Sequence, residues 1–285
     1  GVAYVDDFEG SQSTIDLRAI NRWFLASTPR GEYGSIGNLF PEAALENDLA
    51  ANYNRAGLSW YTIDPILQSG INPDGQMSTE DKWDHRARQV QLQELYKFGD
   101  YGQSSMVGRP TNLPTLDLTY RPTERGPYNY EPFDGSNVSA GLNPDDTLLI
   151  PSERWAGIQR PLTTTDFEAT NIEYIQFWVM DPFNEDSENE SGGRLFINLG
   201  NVSEDILNDS QLAFENGLPS ANNTDLETDT STWGIYPDPT TFNVVNAFDN
   251  STNDYSRQDV GLDGLNSEEE RTFFNDWLST LEDGL

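Results

Sequence analysis

Short apolar runs recur along the chain, separated by gaps rich in Gly, Pro, Asn and Asp. The runs are AYVDDF (3–8), RWFLAS (22–27), GLSWYTI (57–63), TLDLTY (115–120), IEYIQFWVM (172–180) and GRLFINLG (193–200). Their length and their turn-rich boundaries predict β-strands. Many short strands joined by polar gaps predict a mainly-β protein, a β-sandwich carrying long loops and a few helices. In such a sandwich Phe8, Trp60, Tyr174, Phe177 and Leu195 are expected in the packed core.

Helical spacing is rarer. From Pro41 to Tyr53 the residues Leu45, Leu49 and Tyr53 fall four apart behind an initial proline, which predicts a helix. Between 80 and 98, Trp83, Ala87, Val90 and Phe98 approach helical spacing, but RQVQLQELY also alternates as a strand does, so both readings stand. Near the C-terminus Phe273, Phe274, Trp277, Leu278 and Leu281 form a helical stripe. The stretches 184–192 and 219–231 are polar and read as loops.

Composition sharpens this picture. Only 35 % of the 285 residues are hydrophobic, yet 7 Trp, 12 Tyr and 14 Phe can carry a core with less aliphatic help. The formal net charge is −32, and lysine occurs only at Lys82 and Lys97. A surface of that sign repels nucleic-acid phosphates and anionic lipid headgroups, and it attracts divalent cations. The chain has no cysteine, which excludes disulfides and thiolate metal sites. No apolar run reaches 18 residues, so no transmembrane helix is expected. The first residue is Gly1, and a processed product or a piece of a longer chain is expected.

One stretch, QDVGLDGLNSEEERTFF (258–274), combines spaced carboxylates with the start of the C-terminal stripe. Counted from Asp259, a calcium-loop template puts Asp263 at position 5, Gly264 at position 6, the Leu265 carbonyl at position 7, Ser267 at position 9 and Glu270 at position 12. Position 3 is Gly261, which offers no side-chain oxygen, so water would fill that place. The expected ligands of a structural calcium ion are therefore Asp259, Asp263, Leu265 and Glu270. Ser267 and Glu270 also fit a capping box, S-x-x-E, before an apolar helix, with no metal needed. The two readings are compatible, and both stand.

Other chemistry-bearing residues are sparse. Asp7 and Glu9 would share one face of an extended strand, either around an ion or simply toward water. His85 is the only histidine, and no serine or aspartate partner is marked for it. No glycine-rich phosphate loop precedes a helix. No catalytic residue is therefore expected.

Eight strings together resemble the SprA (Sov) family, the outer-membrane translocons of the Bacteroidetes type IX secretion system. They are YVDDFEGSQSTIDLR (4–18), RAGLSWYTIDP (55–65), ERGPYNY (124–130), ERWAGIQRPLTTTDFEATNIEYIQFWVMDPF (153–183), GGRLFINLGNVSEDIL (192–207), FENGLP (214–219), WGIYP (233–237) and QDVGLDGL (258–265). They are spread over almost the whole chain, from 4 to 265, in the family's order. The resemblance implies a non-enzymatic segment of a very large β-barrel that passes folded cargo to the cell surface and supports gliding motility. Its partners would be other parts of the parent translocon, secretion-system proteins and cargo. The strings lack the lipid-facing alternation of barrel strands, so a soluble segment without direct lipid insertion is expected, on the cell surface rather than in the periplasm. A second likeness, DDFE, IQFWV and GGRLFINLG, is to galactose-binding-like jelly rolls, which include carbohydrate-binding modules and often hold a structural calcium.

The expected organisation is a sandwich domain over 1–257 and an acidic loop with its helix over 258–285. A carbohydrate-binding module is the alternative function. Trp23, Trp60, Trp155, Trp178 and Trp233 are its candidate sugar-stacking residues, although most lie within strand patterns and suit a core better. A glycoside hydrolase ranks behind both.

Overall fold

The computed structural model describes residues 15–28, 40–64, 87–91, 94, 112–162, 166–168, 170, 172–180, 192–200, 206–207, 227–231, 234–238 and 267–282. Its strands are β1 (Phe24–Leu25), β2 (Ala56–Tyr61), β3 (Asp117–Arg125), β4 (Ile158–Gln159), β5 (Glu227–Ser231) and β6 (Gly234–Asp238). They pair two by two, β1 with β4, β2 with β3 and β5 with β6. Among the described residues helix is short: 3₁₀ turns, a helical residue at Glu94, α1 (Ser267–Phe273) and α2 (Asn275–Glu282). Among the described residues the protein is thus mainly β and poor in helix. No helix there is long and apolar enough to cross a membrane.

Two compact units alternate along the chain. One comprises Gly1–Phe24, Ser59–Thr119 and Arg160–Gly192, and the other Leu25–Leu58, Tyr120–Gln159 and Gly193–Leu285. In the first unit the Trp23 indole donates to the Leu17 carbonyl at 2.7 Å, and the Arg160 guanidinium lies 5.7 Å from the centre of the Trp23 ring. Tyr61 and Thr119 join their hydroxyls at 3.0 Å where β2 meets β3. Gln91 forms an antiparallel bridge with Asn112, so the ambiguous stretch is bridged as a strand at that residue; most of 80–98 lies outside the described residues.

Among the described residues of the second unit, few large apolar side chains are buried. Its buried residues include Ala43, Ala50, Ala51, Ala56, Leu142, Leu148, Ile206 and Leu207, together with Trp155 and Tyr53. Among the largest fully buried side chains are Arg55, Glu42, Glu131 and Asn52. With so little aliphatic volume, polar side chains complete this interior, and each must then find hydrogen-bond partners. The interior also needs close backbone approach. Gly126 donates its N–H to the Arg55 carbonyl at 3.1 Å, and a Cβ there would collide with the Ala56 carbonyl oxygen.

Several expectations from the sequence change. The predicted helix from Pro41 to Tyr53 is two separate 3₁₀ turns, Pro41–Ala44 and Leu49–Asn52. Leu45 is extended, Asn47 adopts a positive φ of 53°, and the Asp48 carboxylate caps the second turn by accepting from Ala50 N at 2.9 Å. Asn and Asp favour such local turns over helix interior. The stretch 219–231, read as loop, ends in β5. Thr228 and Thr230 pair with Pro237 and Ile235 in an antiparallel hairpin whose strands are separated by two residues.

The core expectation changes as well. Tyr174, Phe177 and Leu195 are 78 %, 53 % and 67 % exposed, Trp60 is half-buried, and Phe8 lies outside the described residues. Among the described residues, the segments 172–180 and 192–199 run without turns or helix and join no ladder, and Tyr174, Phe177 and Leu195 are exposed.

Candidate functional site

The most organised chemistry lies inside the second unit, where five stretches of chain converge on Arg154 and Arg55. Arg154 follows a 3₁₀ turn, Pro151–Glu153, which Ile150 enters in the left-handed region at φ 49°. A β-branched residue there is strained. The turn is held because Arg154 is anchored on all sides. Its Nε donates to the Leu149 carbonyl at 2.8 Å, Nη1 to the Tyr53 carbonyl at 2.8 Å, and Nη2 to the Gly141 carbonyl at 3.0 Å. Its ionic partner is Glu131, 2.7 Å from Nη1 to Oε2, with both side chains fully buried.

Glu131 is satisfied in turn. Its Oε1 accepts from the Ser139 hydroxyl and from the Gly141 N–H at 2.6 Å. Gly141 can present both its N–H and its carbonyl to this pair because it sits at φ +91°, a conformation suited to glycine. The Glu131 backbone N–H donates to Asn129 Oδ1 at 3.0 Å, and Asn129 Nδ2 donates to the carbonyls of Tyr53 and Arg55 at 2.8 and 2.7 Å. The Glu131 carboxylate, the Arg154 guanidinium and the Asn129 amide together tie residues 53–55, 129–131, 139–141 and 149–154.

Arg55 is the second buried cation, and its recorded side-chain partners are neutral. It donates through Nε and Nη2 to Asn52 Oδ1, at 3.0 and 2.8 Å, and through Nη1 to the Ala26 carbonyl at 2.6 Å. Its guanidinium stands 4.5 Å from the centre of the Trp155 ring. Burial lowers its pKa to about 9, so it remains charged at neutral pH. Trp155 links this cation to Glu42, donating its indole N–H to Glu42 Oε1 at 3.0 Å, and Asn54 Nδ2 donates to the same oxygen at 3.1 Å. Glu42 Oε2 is buried and has no hydrogen-bond partner among the described residues, and desolvation pushes the carboxyl pKa upward.

This cluster holds carboxylates and cations in a small buried space. Arg55, Glu42, Glu131 and Arg154 are all buried; the arginines donate to backbone carbonyls and to the Asn52 and Glu131 side chains, and the carboxylates accept from N–H and O–H groups of the same unit. Its chemistry is that of a clamp which fixes loops carrying few apolar anchors. The sequence reading did not single out these residues as a site. The available signal was their company: Arg55, Asn129, Arg154 and Trp155 all fall within three of the strings that carry the family resemblance.

The sequence-predicted site residues fall elsewhere. Glu270 is exposed on α1, while Asp259, Asp263 and Leu265 lie outside the described residues, as do His85, Asp6, Asp7, Glu9 and Trp233. Among the described residues no group of three or more His, Asp or Glu side chains is placed to hold a metal ion. The indole candidates separate by burial. Trp155 is core, Trp23 and Trp60 are half-buried, and Trp178 is 70 % exposed.

The C-terminal stripe does dock. Phe274, Trp277 and Leu278 are half-buried, and Trp277 donates its indole N–H to the Tyr130 carbonyl at 3.2 Å. The Trp277 and Tyr130 rings meet edge to face at 5.4 Å. Comparison with models of protein families, with curated proteins and with solved structures gives no match to this chain.

Proposed function

We propose that this chain is a non-enzymatic segment of a large outer-membrane protein-translocation channel of the type IX secretion kind, where it shapes the pore region and contacts partner proteins. The observation that carries this reading is the set of eight strings in the order of the SprA family. Three of those strings supply the arginines, asparagine and tryptophan of the buried clamp, so the resemblance falls on residues that hold this fold together. The finer fold we assign to it is a jelly-roll sandwich. The turn-bounded apolar runs along the chain support that assignment. The parent channel places the segment at the outer membrane, facing the cell surface. A net charge of −32 disfavours nucleic acid and anionic lipid as partners.

A carbohydrate-binding module is the second reading, favoured by the exposed rings of Tyr174 and Trp178, 78 % and 70 % accessible. In an extended segment these two share a face. A sugar platform does not require the opposite face to be apolar, yet Ile175, Phe177 and Val179 are exposed there.

Deleting the segment from its parent channel in cells decides between them. Loss of reporter-cargo secretion, with the channel still at normal abundance, supports the translocon reading. Normal secretion together with glycan binding that Trp178→Ala abolishes supports the module. An epitope inserted between 219 and 226 reports the membrane side by its protease accessibility on intact cells. His85→Ala leaves secretion unchanged if no catalysis is involved.

A further inference from the structure

We propose that residues 172–180 form a docking strand for an extended apolar segment of a protein partner that carries Lys or Arg at its ends. The segment is launched by a local turn. Ile172 N–H donates to the Phe167 carbonyl at 2.9 Å, and the Thr170 hydroxyl donates to the Asp166 carbonyl at 2.8 Å. From there Glu173 to Met180 runs without turn or helix, exposed throughout and outside any ladder. Along an extended course Tyr174, Trp178 and Met180 alternate with Ile175, Phe177 and Val179, which puts the two sets on opposite faces. Trp178 and Val179 are 70 % and 73 % exposed.

An extended backbone with apolar side chains on both faces is the template that strand addition uses. Main-chain hydrogen bonds supply affinity, and alternate side chains supply specificity. Three occupants compete for it. A bilayer is a poor one, because hydrocarbon leaves the peptide groups of an extended segment unpaired. A second copy is opposed by charge: residues 166–192 contain eight Asp or Glu and neither Lys nor Arg, and the whole chain is at −32. The same acidic flanks favour a partner strand with basic ends, through steering and through complementary pairing beside the strand. This surface does not depend on the translocon reading, and its test uses no secretion assay.

The test uses the full chain and a fluorescent peptide of alternating valine and threonine with paired lysines at each end. Expected are saturable binding by anisotropy, weakening with added salt, and new hydrogen-exchange protection confined to 173–180. Phe177→Asp and Val179→Pro, one removing an apolar contact and the other a backbone donor, each weaken binding about tenfold or more. Both variants should keep the parent's melting temperature, since the segment is exposed. Absence of binding, equal binding by the same peptide with glutamates in place of lysines, or protection outside 173–180 overturns the proposal. So does protection of 173–180 without peptide as protein concentration rises, which indicates a second copy, or protection by phosphatidylcholine vesicles, which indicates a bilayer.

Discussion

Glu131 and Arg154, 23 residues apart in sequence, meet at 2.7 Å with neither side chain reaching solvent. A buried pair of this kind adds little over a well-packed apolar pair, but loss of one member leaves an uncompensated charge. Arg154→Ala or Glu131→Gln is expected to cost about 3–5 kcal/mol in urea unfolding. The exposed pair of Arg121 and Glu124, also at 2.7 Å, provides the control, and Glu124→Ala is expected to cost less than about 1 kcal/mol. Equal losses at the two sites would refute the clamp.

Glu42 should give stability a dependence on pH. Its folded pKa lies above the ordinary 4.5, chiefly through desolvation. Its contribution is therefore fully present below the unfolded value and is lost as pH rises through the folded value. Glu42→Gln removes that titration. The variant is expected to melt at about the parent's temperature in acid and above it once pH exceeds the folded value of Glu42. A constant difference across the range would contradict the assignment.

Trp277 pins α1 and α2 to Tyr130 through one hydrogen bond and one ring contact. Trp277→Ala is expected to cost about 1–2 kcal/mol and to open the C-terminal helices to protease before the remainder of the unit. Trp277→Phe retains a ring and should recover part of the loss. Cleavage unchanged in Trp277→Ala would show that the helices are held by other contacts.

Calcium at Asp259, Asp263, the Leu265 carbonyl and Glu270 is a proposal from the loop spacing alone. An ion that binds only the folded form stabilises it by about 2.7 kcal/mol at a hundredfold excess over its dissociation constant. Calcium is then expected to raise the melting temperature, and Asp263→Ala to abolish the rise. The capping box forecasts the reverse: no response to calcium or chelator, and a loss of about 1 kcal/mol on Ser267→Ala.

The sequence by itself determined the elements whose signal is local. Turn-bounded apolar runs located β1, β2 and β3, and the three-and-four spacing of Phe274, Trp277 and Leu278 located the C-terminal helices. It also determined the charge, −32. Periodicity suffices for these because each element repeats its own geometry every two or 3.6 residues. Only the tertiary structure decided that Arg55, Glu131 and Arg154 are interior, that Glu42 lies under Trp155, 113 residues away, and that Tyr174 and Phe177 face outward. A charged side chain enters an interior only where distant carbonyls and a counter-charge await it, and an apolar one stays outside where no layer covers it. Those conditions belong to the meeting of remote segments, which no single stretch of the chain contains.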